Sequence, residues 1–354
     1  MPDLLSTPCP LCGSVTSVLN RHHPGYRRPD SYEIRMCYNC DTQFASPATV
    51  DGSIYDIIYE NADDIRGYAR YSIFAKMVLE RPDPLGFLAD SEDVYWFVED
   101  FLTRSAVPRD AAILEVGSGL GYLTYAIHRR GYTKIRGMDL SAKAVASATR
   151  TYGDLYFVGN ITTHGETSPD RYDVIILTEV IEHVPDILGL IGAIARLLKP
   201  GGAIALTTPN KSSQPPGAYW GTDNPPVHLW WLSESSLRQI AIRLKLSLRL
   251  WDFSPYRARH TLGLKALPSY PIRAHMPPYI GADGAILAHP RPSAGKLQQF
   301  AKRWLTRSIG YSAYETLKQA VHAPRATVTY IKESMRNSSA RGSTMGIVLC
   351  HPES

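Results

Sequence analysis

Ala112 to Val116 form an apolar run interrupted only by Glu115, and glycines follow at 117, 119 and 121. Such a run suits a buried strand, and the glycines let the backbone turn tightly into a helix beginning near Tyr122. KIRGMD reads as a second strand ending at Asp139, with Ser141 placed to cap the next helix. LYFVGN is a third strand, ending at Gly159-Asn160, and YDVIILTEV a fourth, ending near Thr178-Glu179. A helical stretch, LIGAIARLLKPGG, closes on Lys199-Pro200-Gly201-Gly202 before a fifth strand, AIALTTP. LSLRLWDF, from Leu246, is the sixth strand. Its partner TMGIVLC, Thr344 to Cys350, follows only after about ninety residues, too many for a featureless loop in a compact domain. Alternating strands and helices predict an α/β fold.

The flanks have other patterns. From Ile54 to Leu102 helical periodicity is mixed with many aromatics, and Tyr68, Tyr71 and Phe74 can share one helical face. Pro82, Pro84 and Pro108 punctuate this stretch, which suits a helical bridge covering a pocket. The long insertion opens on Pro-rich chain, ALPSYPIRAHMPPYIGADG, and continues as two predicted helices, AGKLQQFAKRWLT and SAYETLKQAVH. In the first, Leu297, Phe300, Ala301 and Trp304 line one side beside Lys302, Arg303 and Arg307. The expected organisation is a module over 1–50, a helical bridge or substrate lid over 51–105, a core over 106–253, an insertion over 254–343 and a final core strand over 344–350.

Composition narrows the class. With 44% hydrophobic and 20% charged residues, the 354-residue chain reads as a soluble globular protein. It has no apolar run of 18 or more residues, and MPDLLSTPCP lacks the features of a signal peptide, so the expected location is cytoplasmic. The net charge of +5 is unevenly spread: ten Lys/Arg against two Glu between Arg291 and Arg341 leave a local excess of +8. That segment is a solvated face or a contact for an anionic glycan, nucleotide or membrane surface. No recognition motif accompanies it, which argues against specific nucleic-acid binding.

Four of the five cysteines form two tight pairs, Cys9/Cys12 and Cys37/Cys40, and Cys350 stands apart. The 24 residues between the pairs can return as a short hairpin and bring four thiolates to one ion. Four thiolates close a tetrahedral zinc site with no position left for water, so the expected role is structural. Gly13 stands where the first knuckle needs a permissive backbone. Redox or iron–sulfur chemistry uses the same residue type. His22 and His23, in the hairpin, are expected at the surface.

The glycine turn is a nucleotide-binding geometry, with exposed amides at a helix N-terminus. Asp139, 24 residues beyond Glu115, can accept both hydroxyls of a ribose. A GxGxG turn fits NAD as well. Glu115, inside the motif and ahead of its first glycine, decides between the two. A carboxylate there opposes a pyrophosphate but suits a cofactor bearing an ammonium and a sulfonium, which favours S-adenosylmethionine. Leu140, Asn160, Ile161 and Thr178, at or just past strand ends, complete the candidate cofactor contacts, with Asn160 toward the adenine edge.

EVGSGLG, GMDLS, YDVIILTEVIEHVPD, LLKPGG and HLWWLSESSL, in this order and spacing, resemble the class I S-adenosylmethionine-dependent methyltransferases over roughly 106–253. The resemblance implies a Rossmann-like seven-stranded sheet in which Gly117, Gly119, Gly121 and Asp139 hold the cofactor and Glu115 orients its methionine part. That family usually has Asp where this chain has Asn160. A four-cysteine module joined to such a core further resembles methyltransferases of sugar and secondary-metabolite pathways, including those that methylate nucleotide-linked deoxysugars on carbon or oxygen. The implied acceptor is a sugar, nucleotide-linked sugar or related glycan or small-molecule precursor, phosphate-bearing in some cases.

Methyl transfer to a hydroxyl or an enolisable carbon needs alignment and a base. Glu179, Glu182 and His183 follow the fourth strand, and Glu179 and His183 are four apart on an expected short helix. His228 follows a Pro-, Gly- and aromatic-rich loop, just before a helix capped by Ser233, where a near-neutral acid constant suits a base. Sugar carbon-methyltransferases place a base histidine in a comparable segment, often after Glu, whereas here Val227 precedes it. Tyr219 and Trp220 are candidates for an apolar wall, and Asp223 for a partner of His228. The competing readings are a metal-assisted oxygen methyltransferase using Glu179, Glu182 and His183, a nicotinamide-dependent dehydrogenase, and a non-catalytic zinc-stabilised scaffold.

Overall fold

The computed structural model describes residues 7–50, 52–65, 68–167, 171–213, 224–260, 278–287, 342 and 344–352. The two predicted helices of the insertion, and Tyr219, Trp220 and Asp223, lie outside the described residues.

The chain begins as an antiparallel meander, β1 (Ser17–Pro24), β2 (Ser31–Cys37) and β3 (Thr42–Ser46). Four helices follow: α1 (Ser53–Glu60), α2 (Ala69–Met77), α3 (Pro84–Ser91) and α4 (Asp93–Arg104). Asp83 caps α3 by accepting from the Gly86 amide, and Pro84 takes the first helical position, where no backbone donor is needed. The alternating core then runs β4 (Ile113–Val116), α5 (Tyr122–Arg129), β5 (Ile135–Asp139), α6 (Ala142–Tyr152), β6 (Tyr156–Val158), α7 (Ile161–Thr167), β7 (Tyr172–Thr178), α8 (Ile187–Arg196) and β8 (Leu198–Pro209). It closes with β9 (Trp230–Trp231), α9 (Glu234–Leu244), β10 (Ser247–Leu250), α10 (Ser254–His260) and β11 (Thr344–Cys350).

The main sheet has seven strands in the order β10-β11-β8-β7-β4-β5-β6. All neighbours are parallel except β11, which runs antiparallel to both β10 and β8. This is the expected Rossmann-like α/β sheet, with β11 filling the gap that the sixth strand leaves open. Ser141 caps α6 as expected, accepting from the Ala144 amide. Ser233 caps α9 through a reciprocal pair with Ser236.

Two local expectations change. The run Lys199-Pro200-Gly201-Gly202 does not close a helix. Helix α8 ends at Arg196, and the run forms the start of β8, where Gly201 at φ +76° lies near a break in the register with β7. His22 is exposed, but His23 is buried, with Nδ1 2.9 Å from the Pro24 carbonyl oxygen and its ring beside Trp231.

Strand β9 has no period-2 signature in the sequence and pairs with β3, so the amino-terminal sheet is completed by a strand from the core. The Leu229 carbonyl accepts from the Ala45 amide at 2.8 Å, and Thr42 donates to the Ser236 hydroxyl at 2.7 Å. The cysteine pairs and the main sheet share one hydrophobic cluster, in which Cys37, Cys40 and Phe44 join Trp230, Leu237 and Ile240.

On the opposite face of the sheet α4 buries Val94, Trp96, Phe97, Val98 and Phe101. Phe97 packs against Phe101, Trp251 and Phe253, and a side chain on Gly346 of β11 would meet its ring at 2.5 Å. Phe97→Ala opens a cavity between α4 and β11 and is expected to lower stability by about 3–5 kcal/mol. A lower midpoint in urea unfolding checks this.

Candidate functional site

Three glycines shape the turn from β4 into α5. Gly117, Gly119 and Gly121 have φ of +77°, +49° and +83°, the left-handed region that favours glycine. The space is as restricted as the backbone: an added Cβ at Gly117 would meet Val180 at 2.8 Å, and one at Gly121 would meet Ala148 at 2.6 Å. Asp139, at the end of β5, faces the turn and accepts from the Gly119 amide at 2.7 Å and the Ser141 amide at 2.9 Å. Burial raises its pKa, and those two amides oppose the shift without cancelling it. Glu115 is buried, with one oxygen accepting from the Thr124 hydroxyl at the start of α5. Loss of hydration pushes its pKa up to about 8, with Thr124 acting in the opposite direction.

A cavity of about 870 Å³ runs from this turn to the residues after β7. It brings together Glu115, Gly117, Gly119, Asp139, Leu140, Asn160, Ile161, Thr178, Glu179, His183 and His228. Gly121 is set back from it, against Ala148 and Tyr156. The Asn160 side-chain oxygen is taken by the amide and hydroxyl of Thr162, which leaves its NH₂ as the group able to meet a ligand.

The helical bridge supplies an aromatic wall that sequence reasoning found only in part. Tyr68 and Tyr71 line the cavity, while Phe74 is buried behind them against Tyr95 and Tyr122. Tyr55 and Tyr59 of α1 also line it, and the Tyr59 hydroxyl lies over Gly119. Their i,i+4 spacing was the available signal.

At the other end, Glu179 and His183 do not share a helix. Glu179 sits in a left-handed turn at φ +54° with its amide held by Thr207, and a single 3-10 turn, Ile181–His183, follows. The histidine Nδ1 donates to the Val227 carbonyl, which leaves Nε2 as the acceptor nitrogen. The His183 and His228 rings meet edge to face at 4.8 Å. Glu182 is buried beneath them, accepts from the Thr208 hydroxyl at 3.0 Å and has an oxygen 3.8 Å from His183 Nε2. One ligand atom each from Glu182, His183 and His228 can lie within 4.8 Å of one another. His228 thus joins a set in which the sequence reading had placed Glu179.

The near-neutral pKa expected of His228 is also revised. Burial pushes it well below the usual value, with His183 adding to the shift, and burial lowers His183 to about 4. Glu179 moves the other way: burial, with Asp93 nearby, raises it to about 8. Its Oε1 is buried without a hydrogen-bond partner among the described residues.

The cysteine pairs converge. Sγ of Cys9 lies 3.6 Å from that of Cys40, Sγ of Cys12 lies 3.4 Å from that of Cys37, and all four fall within 4.8 Å of one another. These separations far exceed a disulfide bond of about 2.05 Å. They approach the ~3.8 Å edge of a tetrahedron with zinc–sulfur distances near 2.3 Å. Gly13 takes the first knuckle at φ +76°, as expected, and Asp41 the second at φ +54°.

The family described as "Methyltransferase domain" matches residues 92–246. A ubiquinone biosynthesis O-methyltransferase of Serratia proteamaculans is 32% identical over 118 residues, 32% of this chain and 48% of that protein. The chain thus spans about half the length of the curated relatives it matches. Among solved structures, the glycopeptide N-methyltransferase MtfA has 16% identity and a TM-score of 0.37, covering 46% of this chain and 84% of its own. An S-adenosylmethionine-dependent methyltransferase from Mesorhizobium loti has 19% identity and a TM-score of 0.36, covering 45% and 86%. With the glycine turn, the acidic strand end and this match on one stretch of chain, residues 92–246 form a class I S-adenosylmethionine-dependent methyltransferase domain.

Proposed function

We propose that the protein transfers the methyl group of S-adenosylmethionine to a hydroxyl of a small biosynthetic intermediate. One observation carries this reading: a single cavity joins the Gly117–Asp139 turn to Glu179, His183 and His228. The turn amides and Asp139 would hold the nucleoside, and the acceptor would lie toward the histidines. The curated relative named above is an O-methyltransferase, which favours oxygen over an enolisable carbon. A sugar acceptor remains the reading suggested by the four-cysteine module.

The acid constants divide the work. An imidazole whose conjugate acid lies near 4 is a weak acceptor for a hydroxyl proton. A carboxyl raised to about 8 is better matched to neutral pH, so Glu179 is the stronger candidate for the base. His183 Nε2 and His228 would orient the acceptor. A second reading is favoured by the placement of Glu182, His183 and His228, a carboxylate and two neutral imidazoles suited to a divalent cation. Such an ion would act as a Lewis acid that eases ionisation of the acceptor hydroxyl. The four thiols of Cys9, Cys12, Cys37 and Cys40 are assigned to structural zinc.

Asp139→Ala is expected to weaken S-adenosylhomocysteine binding at least about tenfold, since it removes a charged acceptor from the turn. Calorimetric titration checks this, and no binding to the wild type would overturn the cofactor assignment. For the cation, turnover should fall after brief EDTA treatment and return with Mn²⁺ in the wild type but not in His228→Ala. Turnover indifferent to EDTA and Mn²⁺ leaves the histidines as orienting groups alone. Elemental analysis should find about one zinc per chain at the cysteines. Cys12→Ser should lose that zinc and lower the melting temperature of the whole protein, because β9, contributed by the core segment of the chain, completes the cysteine-bearing sheet.

A further inference from the structure

We infer that Tyr279, from the long insertion ahead of β11, is a positioning residue for methyl transfer. Through Tyr26 it holds the segment 224–228, and so sets His183 and His228 at the acceptor end of the cavity. The inference rests on the function proposed above. Tyr26 and Tyr279 both lie outside residues 92–246, so the domain match says nothing about either.

A chain of contacts leads from the insertion to one carbonyl. Residues 278–287 fold back on themselves, with the Gly281 amide donating to the Ala285 carbonyl and the Leu287 amide to the Tyr279 carbonyl, both at 2.8 Å. The Tyr26 carbonyl accepts from the Tyr279 amide at 2.8 Å and from the Ile280 amide at 3.1 Å. The Arg28 amide donates to the Ile280 carbonyl at 2.9 Å. The Tyr26 and Tyr279 rings stack with centres 5.1 Å apart and planes 28° from parallel. On its other side Tyr26 donates its amide to the Pro225 carbonyl at 2.7 Å, and the Asn224 side chain donates to the Gly25 carbonyl at 3.4 Å. The hairpin loop 25–30 is thus clasped between the insertion and the segment that leads into His228.

Val227 turns this clasp into a constraint on the chemistry. Its side chain is fully buried in a cluster with Tyr26, Tyr279, Ile280 and, from α1, Ile54 and Ile58. Its carbonyl accepts from His183 Nδ1, which leaves Nε2 as the acceptor nitrogen of that ring, and the next residue is His228. The amides of Val227 and His228 both donate to the Asn224 carbonyl, at 3.0 and 3.3 Å. Both histidines line the cavity. In a close-packed cluster the neighbours of an emptied site move toward it, so loss of the Tyr279 ring frees Tyr26 and displaces Val227. The Val227 carbonyl then no longer fixes the His183 tautomer. Among the described residues, none of the glycine turn belongs to this cluster, so cofactor affinity is left as it was.

Nuclear magnetic resonance of protein carrying isotope-labelled histidine tests this, with the His183 signals assigned through His183→Gln. In the wild type Nδ1 should carry the proton and Nε2 should be bare. In Tyr279→Ala the two nitrogen signals should converge as the tautomers mix, while affinity for S-adenosylhomocysteine, by calorimetric titration, changes by less than about threefold. The ring makes the contact, so Tyr279→Phe should keep the wild-type signals. Unchanged His183 signals or a larger loss of affinity in Tyr279→Ala, the same convergence in Tyr279→Phe, or a wild-type His183 protonated on Nε2 overturns the inference and leaves the cofactor reading standing. Failure of the wild type to bind S-adenosylhomocysteine overturns the function proposed above, and this inference with it. Should Tyr279→Ala unfold, hydrogen exchange of the wild type reads the same coupling. The amides of Tyr26, Val227, His228 and Ile280 should open as one unit, with protection within about tenfold of one another, and Ile280 exchanging faster than Val227 by more than that overturns the inference.

Discussion

The turn between β4 and α5 has no room for side chains, and the rest of the site depends on that restriction. Val180 packs where a side chain on Gly117 would go, and Ala148 and Tyr156 pack where one on Gly121 would go. The turn is therefore locked to the segment after β7 on one side and to α6 and β6 on the other. Asp139 adds a polar lock by accepting from the Gly119 amide. Because interiors are close-packed, moving any of these three elements moves the turn, so the two ends of the cavity keep a fixed separation.

A second dependency runs through β9. The Leu229 amide donates to the Glu182 carbonyl at 2.8 Å, and the Leu229 carbonyl accepts from Ala45. One residue thus ties the amino-terminal sheet to the backbone of Glu182, next to His183, and it directly follows His228. Lys211 reaches Asp41, beside Cys40, and the hydroxyls of Ser233 and Ser236 donate to the Cys40 carbonyl. The cysteine knuckles thereby brace the segment just ahead of β9 that carries His228 into the cavity, although they lie away from the glycine turn.

Where a local pattern has a local cause, the sequence revealed it. Ile113–Val116 is a buried strand because it is apolar, Ser141 and Ser233 are caps because their hydroxyls reach nearby amides, and Gly13 turns because it lacks a side chain. Features set by distant partners were hidden. Trp230–Trp231 is a strand only because β3 is there to pair with it. His228 loses its near-neutral pKa because burial, with His183 beside it, disfavours the charged ring. The role of Lys199–Gly202 depends on β7, which pairs with Leu198 and Ala203 on either side of the run, so the glycines read as a helix stop when taken alone.

The placement of β11 bears on how the chain reaches its native state. This strand lies between β8 and β10, yet it comes from residues 344–350, far beyond both in sequence. During synthesis the exposed edge of β8 must wait for more than 130 further residues, a span in which an unsatisfied strand edge invites pairing with other chains. Closing so long a loop also makes this pairing intrinsically slow. Final consolidation of the sheet is thus a late event in folding. Chaperone protection of the β8 edge would affect the yield of active protein more than protection of the glycine turn, whose contacts with β5, α6 and the segment after β7 all lie before Pro185.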